Sequence, residues 1–255
     1  MLSEMSNRTR SADPVIQVIE RSNQRGGRML SVIDLLQRGT LSKRQLAWLM
    51  VRIEQGASWL VGAVPGGAGK TTVMSALLGV LPAQTLIRVV QPSMRLESLD
   101  RGTCLVIYEI GKGRYDGYVW GQELRRVMGL VDRGYRVVAN LHADTLAQAR
   151  ELIVTQNGVP AQAFDALGLF LPITLEGAHS HLKRRIRQID RVGISGWQPL
   201  NLEAERPTQR EQDIGHFCAK CLAEGVVEIQ DVRRAWLAWK SDHPMPSNDG
   251  DSSGG

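Results

Sequence analysis

Long apolar runs are absent from this sequence of 255 residues, and cysteines and aromatic residues are few. No stretch reaches the roughly 18 consecutive apolar residues of a membrane-spanning helix, and residues 1–28 are too polar to hold the apolar core of a secretory signal. We therefore expect a cytoplasmic protein, which can still lie at the inner face of a membrane through a partner. The three cysteines cannot form a disulfide framework, and the pair Cys218 and Cys221 lacks the second pair that zinc would need, so we interpret both as helix residues.

Charge of one sign does not dominate either. The formal net charge is +5, and the basic residues are scattered apart from one cluster, Lys183, Arg184, Arg185 and Arg187. Such a run is more typical of a solvated strand face than of a nucleic-acid patch, so we expect no nucleic-acid partner. With 43% hydrophobic residues, the composition is that of a globular protein large enough for one α/β domain and a small accessory unit.

What the sequence does contain is an alternation of short apolar runs and helical patterns. The predicted strands are Ser58–Ala63, Leu86–Val90, Thr103–Glu109, Tyr135–Leu141 and Leu169–Leu175. The predicted helices are Met29–Gln37, Leu41–Ile53, Lys70–Leu81, Val119–Val131, Thr145–Gln156 (with Asp144 as its cap) and Ala161–Leu167. This alternation predicts an α/β fold, with a mainly parallel sheet covered by helices on both faces.

Glycines concentrate between the first predicted strand and the helix that follows it, in Gly62-Ala63-Val64-Pro65-Gly66-Gly67-Ala68-Gly69-Lys70-Thr71-Thr72. Glycines let backbone N–H groups point inward around a phosphate, and the helix N-terminus adds its positive dipole. The stretch therefore predicts a phosphate-binding loop (P-loop) for ATP or GTP. The predicted nucleotide-binding residues are Pro65, Gly66, Gly67, Ala68, Gly69, Lys70, Thr71 and Thr72. The usual pattern Gly-x-x-x-x-Gly-Lys-Ser/Thr has glycine where this chain has Val64, but Pro65 favours an extended backbone there, which needs no glycine.

Two polar residues end neighbouring strands, where open parallel sheets bind their ligands. Glu109 follows the apolar run Cys104–Tyr108, and His142 follows Tyr135–Leu141, with Asn140 on the same face of that strand. The predicted catalytic set is Lys70, Thr71, Glu109 and His142. Thr71 and Glu109 would hold Mg²⁺, and His142 would sense the γ-phosphate. A carboxylate exposed at a strand end and a structural histidine are the plain alternatives.

The order of these motifs resembles the secretion ATPase superfamily, the motors of type II and type IV secretion, pilus assembly and conjugation. The residues that carry the resemblance are Gly66–Thr72, Tyr108-Glu109 and Asn140-Leu141-His142-Ala143-Asp144, with Leu35–Ser42 before the P-loop and Arg184–Val192 after the histidine box. The resemblance covers about residues 29 to 203 and implies a RecA-like P-loop domain that uses ATP and Mg²⁺. It also implies a ring of identical subunits, such as a hexamer, and a membrane-embedded secretion or pilus component as partner.

The sequence departs from the family in three places. Members carry an acidic pair after the strand that follows the P-loop helix, whereas this chain has Val90-Gln91-Pro92-Ser93. Tyr108 replaces the glycine before Glu109. We also expect a minimal member that lacks the family's large N-terminal domain, whose arginines act on a neighbouring subunit; Arg101, Arg114, Arg125 and Arg126 are unranked candidates for that role.

The expected organisation has four parts. Residues 1–28 form a mostly disordered or extended lead-in, residues 29–206 the P-loop ATPase domain, residues 207–241 a C-terminal helical unit with helices Gln209–Ala223 and Ile229–Lys240, and residues 242–255 a disordered tail. Within the domain, Arg184–Val192 and Trp197–Leu202 are expected to pair as a hairpin.

Three functions remain open at this point. The first is an ATP-hydrolysing motor related to secretion and pilus ATPases, which drives macromolecular transport or assembly. The second is a hydrolysis-deficient, nucleotide-gated binding or regulatory module, because the acidic pair is missing. The third, a small-molecule kinase or nucleic-acid remodelling ATPase, has no acceptor-binding motif in its favour.

Overall fold

The computed structural model describes residues 13–23, 26–92, 94–113, 115–177 and 182–245. Its strands are Trp59–Gly62 (β1), Ile87–Val89 (β2), Cys104–Ile110 (β3), Tyr118–Val119 (β4), Arg136–Leu141 (β5), Leu169–Pro172 (β6), Thr174–Glu176 (β7), Lys183–Arg185 (β8), Asp190–Gly193 (β9) and Gly196–Pro199 (β10). Its α-helices are Pro14–Ser22 (α1), Val32–Gln37 (α2), Lys43–Glu54 (α3), Lys70–Leu78 (α4), Gln122–Met128 (α5), Leu146–Arg150 (α6), Ala161–Asp165 (α7), Gln209–Ala223 (α8) and Ile229–Asp242 (α9). Two 3₁₀ turns, Leu96–Ser98 and Val131–Arg133, and one π-helical turn, Glu151–Gln156, complete the described elements.

One sheet dominates the described residues. Its strands run in the order β10-β9-β6-β1-β5-β3-β2, with β4 paired to the end of β3. The pairs β6-β1, β1-β5, β5-β3, β3-β2 and β3-β4 are parallel, whereas β9 and β10 add an antiparallel hairpin at one edge. The predicted mainly parallel sheet is confirmed. The expected hairpin forms between β9 and β10 and has shorter strands than predicted. The start of its predicted first strand lies in Lys183–Arg185, which pairs instead with Thr174–Glu176 in a separate two-stranded sheet.

Helices cover both faces of the sheet, as the sequence predicted. Alternate residues of each central strand point to opposite sides, because side chains alternate along a strand. On β1, Trp59 and Val61 face a core built with α1, α2, α3, α4, α8 and α9. Leu60 faces a second core that contains Leu124, Phe164 and other residues of α5, α7 and the π-helical turn. Strands buried on both sides explain why the predicted runs are continuously apolar.

The C-terminal helices α8 and α9 pack on the first core and form a continuous part of it. The side chain of Glu54, at the end of α3, is 1% exposed. Its Oε1 forms ion pairs with Arg210 Nη2 of α8, at 2.5 Å, and with Lys240 Nζ of α9, at 2.9 Å. On α9, Trp236 and Arg233 reach the carbonyl groups that follow α4: Trp236 donates to the Val80 oxygen (2.7 Å), and Arg233 to the Gly79 (3.2 Å) and Leu81 (2.9 Å) oxygens.

The N-terminal lead-in differs from the expectation. Pro14–Ser22 forms helix α1 within the range predicted to be disordered or extended, because Asp13 accepts from the Val15 N–H at its start and Pro14 suits the first turn. Val15, Ile16, Val18 and Ile19 are buried in the first core. At its end, the Ser22 hydroxyl lies 3.0 Å from that of Ser75 on α4. Residues 1–12, 24 and 25 lie outside the described residues.

Several predicted boundaries shift for local reasons. Val119 belongs to strand β4 rather than a helix, and α5 begins at Gln122 after Gly121, which has a φ of 62°. Thr145, not Asp144, caps α6, since its side chain accepts from the Gln148 N–H. Leu169–Leu175 divides between β6 and β7. Helix α9 extends to Asp242, and residues 246–255, predicted to form a disordered tail, lie outside the described residues.

Among the described residues, no helix combines the length and the apolar composition needed to cross a membrane.

Candidate functional site

The glycine-rich loop joins β1 to α4 at the carboxyl edge of the sheet. Gly67 and Gly69 have φ angles of 81° and 99°, in the left-handed region that favours glycine. Gly69 is the residue before α4, and no side chain caps the first turn of that helix. The N–H groups at the start of α4 are therefore not capped by a side chain, an arrangement that suits an anion; phosphate binding stays a prediction.

The departure at Val64 has a structural explanation. The Val64 N–H donates to Asp144 Oδ1 at 2.7 Å, and the Val64 oxygen lies 3.1 Å from His142 Nδ1. His142 and Asp144, which follow β5, thus contact both the N–H and the carbonyl group of Val64. Gly62 serves a different need: a Cβ on it would come within 2.3 Å of the Ala143 oxygen and 2.6 Å of the Phe170 ring.

Lys70 lies at the centre of the site and is 8% exposed. Its Nζ lies 3.3 Å from the Ala63 oxygen, 3.3 Å from His142 Nδ1 and 3.3 Å from Glu109 Oε2. The structure therefore brings three of the four predicted catalytic residues together. His142 Nδ1 accepts from Lys70 in one tautomer and donates to the Val64 oxygen in the other, so these two contacts alternate.

Glu109 is buried at the end of β3, with 7% exposure, rather than an exposed carboxylate. Burial raises the pKa of its carboxyl group above the ordinary value, and the positive charge of Lys70 and the nearby His142 oppose that rise. Glu109 Oε1 lies 3.9 Å from His142 Nε2 and has no hydrogen-bond partner among the described residues. One buried carboxylate oxygen is thus available for a further ligand.

Thr71 and Glu109 line the same cavity, as the predicted metal pair requires. No group of three His, Cys, Asp or Glu side chains in the described part of the chain could hold a metal by itself. Mg²⁺ commonly takes one or two protein ligands and completes its octahedron with phosphate oxygens and water. The unpartnered oxygen of Glu109 and the Thr71 hydroxyl fit that type of site.

Asn140 does not join the site. Its side chain is completely buried, and its amide donates to the Tyr108 oxygen at 3.0 Å, beside the irregularity where the register of β3 and β5 shifts. Tyr108, which stands where the resembled family has glycine, donates its hydroxyl to the Val18 oxygen at 2.8 Å. Tyr108 therefore ties β3 to helix α1.

The sequence reasoning did not assign Arg184 to the site. The cavity, of about 700 Å³, is lined by the P-loop, Glu109 and His142, and also by Arg184 on β8. Arg184 Nη2 donates to the Gly67 oxygen at 3.2 Å. The basic cluster was the only signal, and it could not distinguish Arg184 from Arg185, which donates to the Arg38 oxygen, or from Arg187, which pairs with Glu176.

The arginines considered for action in trans do not line this cavity, as far as the described residues show. Arg125 donates to the Asn157 oxygen at 2.6 Å, and Arg126 pairs with Glu123 at 2.9 Å. Arg101 is exposed, and Arg114 lies outside the described residues.

Where the family has its acidic pair, Gln91 donates to Asp116 Oδ1 at 2.8 Å. Ser93 lies outside the described residues. Cys218 and Cys221 lie far along the chain on α8, where Cys218 contacts Met50 at 3.7 Å between sulfurs, and burial raises the pKa of Cys218 to about 12.

No family model and no curated protein matches this chain. Among solved structures, the chain is similar to the VirB11 ATPase from the Brucella suis type IV secretion system, solved in complex with sulphate, with 16% sequence identity and a TM-score of 0.39. The matched region covers 73% of this chain and 64% of the VirB11 chain, so this chain spans less than two thirds of that protein. The assignment of the site depends on its own geometry and on the order of its motifs.

Proposed function

We propose that this chain is a P-loop ATPase related to the secretion and pilus motors, and that it drives macromolecular transport or assembly. One observation carries the proposal. A glycine cradle with left-handed φ angles opens α4, and the Lys70 ammonium inside it contacts Glu109 and His142 from two neighbouring strand ends. The loop, the lysine and the acid are parts that P-loop enzymes use for phosphoryl transfer from a nucleotide, and the histidine lies beside them.

The roles follow from position. The N–H groups of residues 66–72 bind the phosphates, and Lys70 exchanges its contact with Glu109 for the β- and γ-phosphate oxygens. Thr71 and Glu109 would hold Mg²⁺, which would neutralise charge on the β- and γ-oxygens when bound. Glu109 also orients the attacking water. His142, half-exposed beside Lys70, donates to the γ-phosphate and loses that contact after hydrolysis.

A motor of this type needs a homo-oligomeric ring, hexameric in the manner of the resembled family, and a membrane-embedded secretion or pilus component as partner. It would then act in the cytoplasm, peripheral to the inner face of the membrane.

One observation favours a second function, a nucleotide-gated binding module that hydrolyses ATP slowly or not at all. Gln91 stands at the start of the segment where the family has its acidic pair, and its amide is already bonded to Asp116. If Glu109 must hold Mg²⁺, no second carboxylate among the lining residues is left to polarise water. Nucleotide would then act as a conformational ligand.

The test measures ATP binding and hydrolysis by wild type and Lys70→Ala across a protein concentration series, with light scattering on the same samples. Turnover that rises as oligomers form and disappears in the variant supports the motor. Binding by a monomer without turnover supports the gated module. Equal ATP binding by wild type and Lys70→Ala contradicts both functions, because Lys70 is central to the cradle. A parallel series with GTP decides which nucleotide is preferred.

A further inference from the structure

Arg184 is the cation that touches the phosphate loop from outside. It comes from β8, the short strand that pairs with β7, and its side chain extends over the loop. Its Nη2 donates to the Gly67 oxygen at 3.2 Å, and its Cδ lies 3.0 Å from where a Cβ on Gly69 would be. The Arg184 side chain therefore lies in tight contact with Gly69.

Lys70 and Arg184, the two cations compared at the loop, differ in whether a carboxylate compensates their charge. Lys70 is paired with Glu109, so its positive charge is largely compensated before any nucleotide binds. Within the described residues, the Arg184 guanidinium makes a single hydrogen bond, to the neutral Gly67 carbonyl, and forms no ion pair with a carboxylate. Arg187, three residues along the chain, is by contrast held by two bonds to Glu176, of 2.6 and 2.8 Å.

An exposed guanidinium has five N–H donors in a fixed plane, which suits the oxygens of a phosphate chain. One bond to a carbonyl leaves most of these donors free, and the exposed side chain can turn without losing burial. Because a nucleotide in the cradle lies on the inner side of the same loop, the guanidinium needs only to swing across Gly67 to meet its phosphates.

We propose that Arg184 binds the phosphates of the nucleotide held by its own chain, and so supplies in cis the arginine that the resembled family takes from a neighbouring subunit. This inference depends on the proposed nucleotide binding. It adds that this arginine comes from the same chain, so phosphate binding does not need a ring to supply it.

The experiment measures the affinity of a fluorescent ATP analogue for wild type, Arg184→Ala, Arg184→Lys and the matched control Arg187→Ala. We expect Arg184→Ala to bind about tenfold more weakly, the change that the loss of one charge-assisted hydrogen bond produces. Arg184→Lys should recover part of the loss, since it keeps the charge but not the planar fork. Arg187→Ala should bind like wild type, because its charge is already committed to Glu176.

A mixing experiment distinguishes cis from trans. Lys70→Ala protein lacks the cradle lysine but keeps Arg184, so an excess of it can lend that arginine to Arg184→Ala protein only across a subunit interface. We expect no recovery of affinity in the mixture. Recovery would overturn the assignment in cis, and equal affinities of Arg184→Ala and wild type, or equal losses in Arg184→Ala and Arg187→Ala, would overturn the role of Arg184 itself. Failure of wild type to bind ATP would instead refute the proposed function and this inference with it.

Discussion

The bond between Asp144 and the P-loop gives the most specific prediction about the site. The Asp144 carboxylate accepts from the Val64 N–H at 2.7 Å and so fixes the first residue of the loop against the end of β5. Asp144→Ala removes this bond and keeps the Thr145 cap of the next helix, which uses its own side chain. The loop would then have to become ordered when nucleotide binds, so ATP affinity should fall.

The size of the effect follows from exposure. A hydrogen bond to a charged group contributes about 1.5–3 kcal/mol when it is shielded from water. Val64 is 48% exposed, so water replaces the lost acceptor and the effect should lie below that range. We expect a loss of about 1 kcal/mol, which corresponds to roughly a fivefold weaker ATP affinity.

Titration with a fluorescent ATP analogue measures this change, and urea unfolding of the same samples shows whether the whole fold is affected. Asp144→Asn should lose less than Asp144→Ala, because the amide oxygen still accepts from Val64. Glu151→Ala is the matched control, since it removes an exposed carboxylate from the neighbouring turn. Unchanged affinity in Asp144→Ala, or an equal loss in Glu151→Ala, would refute the reasoning.

Three further predictions concern stability. Glu54→Ala should lower the free energy of unfolding in urea by about 3–5 kcal/mol, because it leaves the buried charges of Arg210 and Lys240 without their carboxylate partner. A loss under about 1 kcal/mol would contradict this. The raised pKa of Glu109 means that its contribution to stability is full at low pH and is lost as the pH rises through that pKa. The stability of Glu109→Gln relative to wild type, measured by urea unfolding, should therefore increase as the pH rises above the ordinary range of a glutamate carboxyl group, and a relative decrease would contradict this. Ser31→Ala removes the capping box of α2 and should lower the free energy of unfolding by about 1 kcal/mol, measured by thermal melting, whereas no shift would show that the cap is replaced by water.

The fold could be predicted from the sequence because its strands are buried on both faces. Such strands are continuous apolar runs, and Cys104–Ile110 is completely buried along its length. Helix α1 lies in the segment predicted to be mostly disordered or extended. It has only nine residues, a length that is marginal for an isolated helix, and it is stabilised by the packing of its apolar face against α4 and β2.

The site divides in the same way. Lys70, Glu109 and His142 could be predicted to meet, because parallel strands end at one edge of the sheet and the loop opens there. The contacts of Arg184 and Asp144 with the loop could not be predicted, since Arg184 lies on a strand outside the main sheet and Asp144 lies beyond the end of β5, where the strand order does not fix its partner. A single sequence gives the residue types at such positions but not the path of the chain that places them beside the loop.

The hydrogen bonds at the far end of α4 have a consequence for communication across the molecule. The helix whose first turn forms the proposed phosphate site has nine residues, a length of about 13 Å, and the carbonyl groups that follow its last turn accept hydrogen bonds from Trp236 and Arg233. A displacement of α4 by nucleotide must either carry α9 with it or break three buried hydrogen bonds. If α4 binds phosphate as proposed, these hydrogen bonds couple α9 to the site, and a partner bound to α9 would respond to the nucleotide without contacting it.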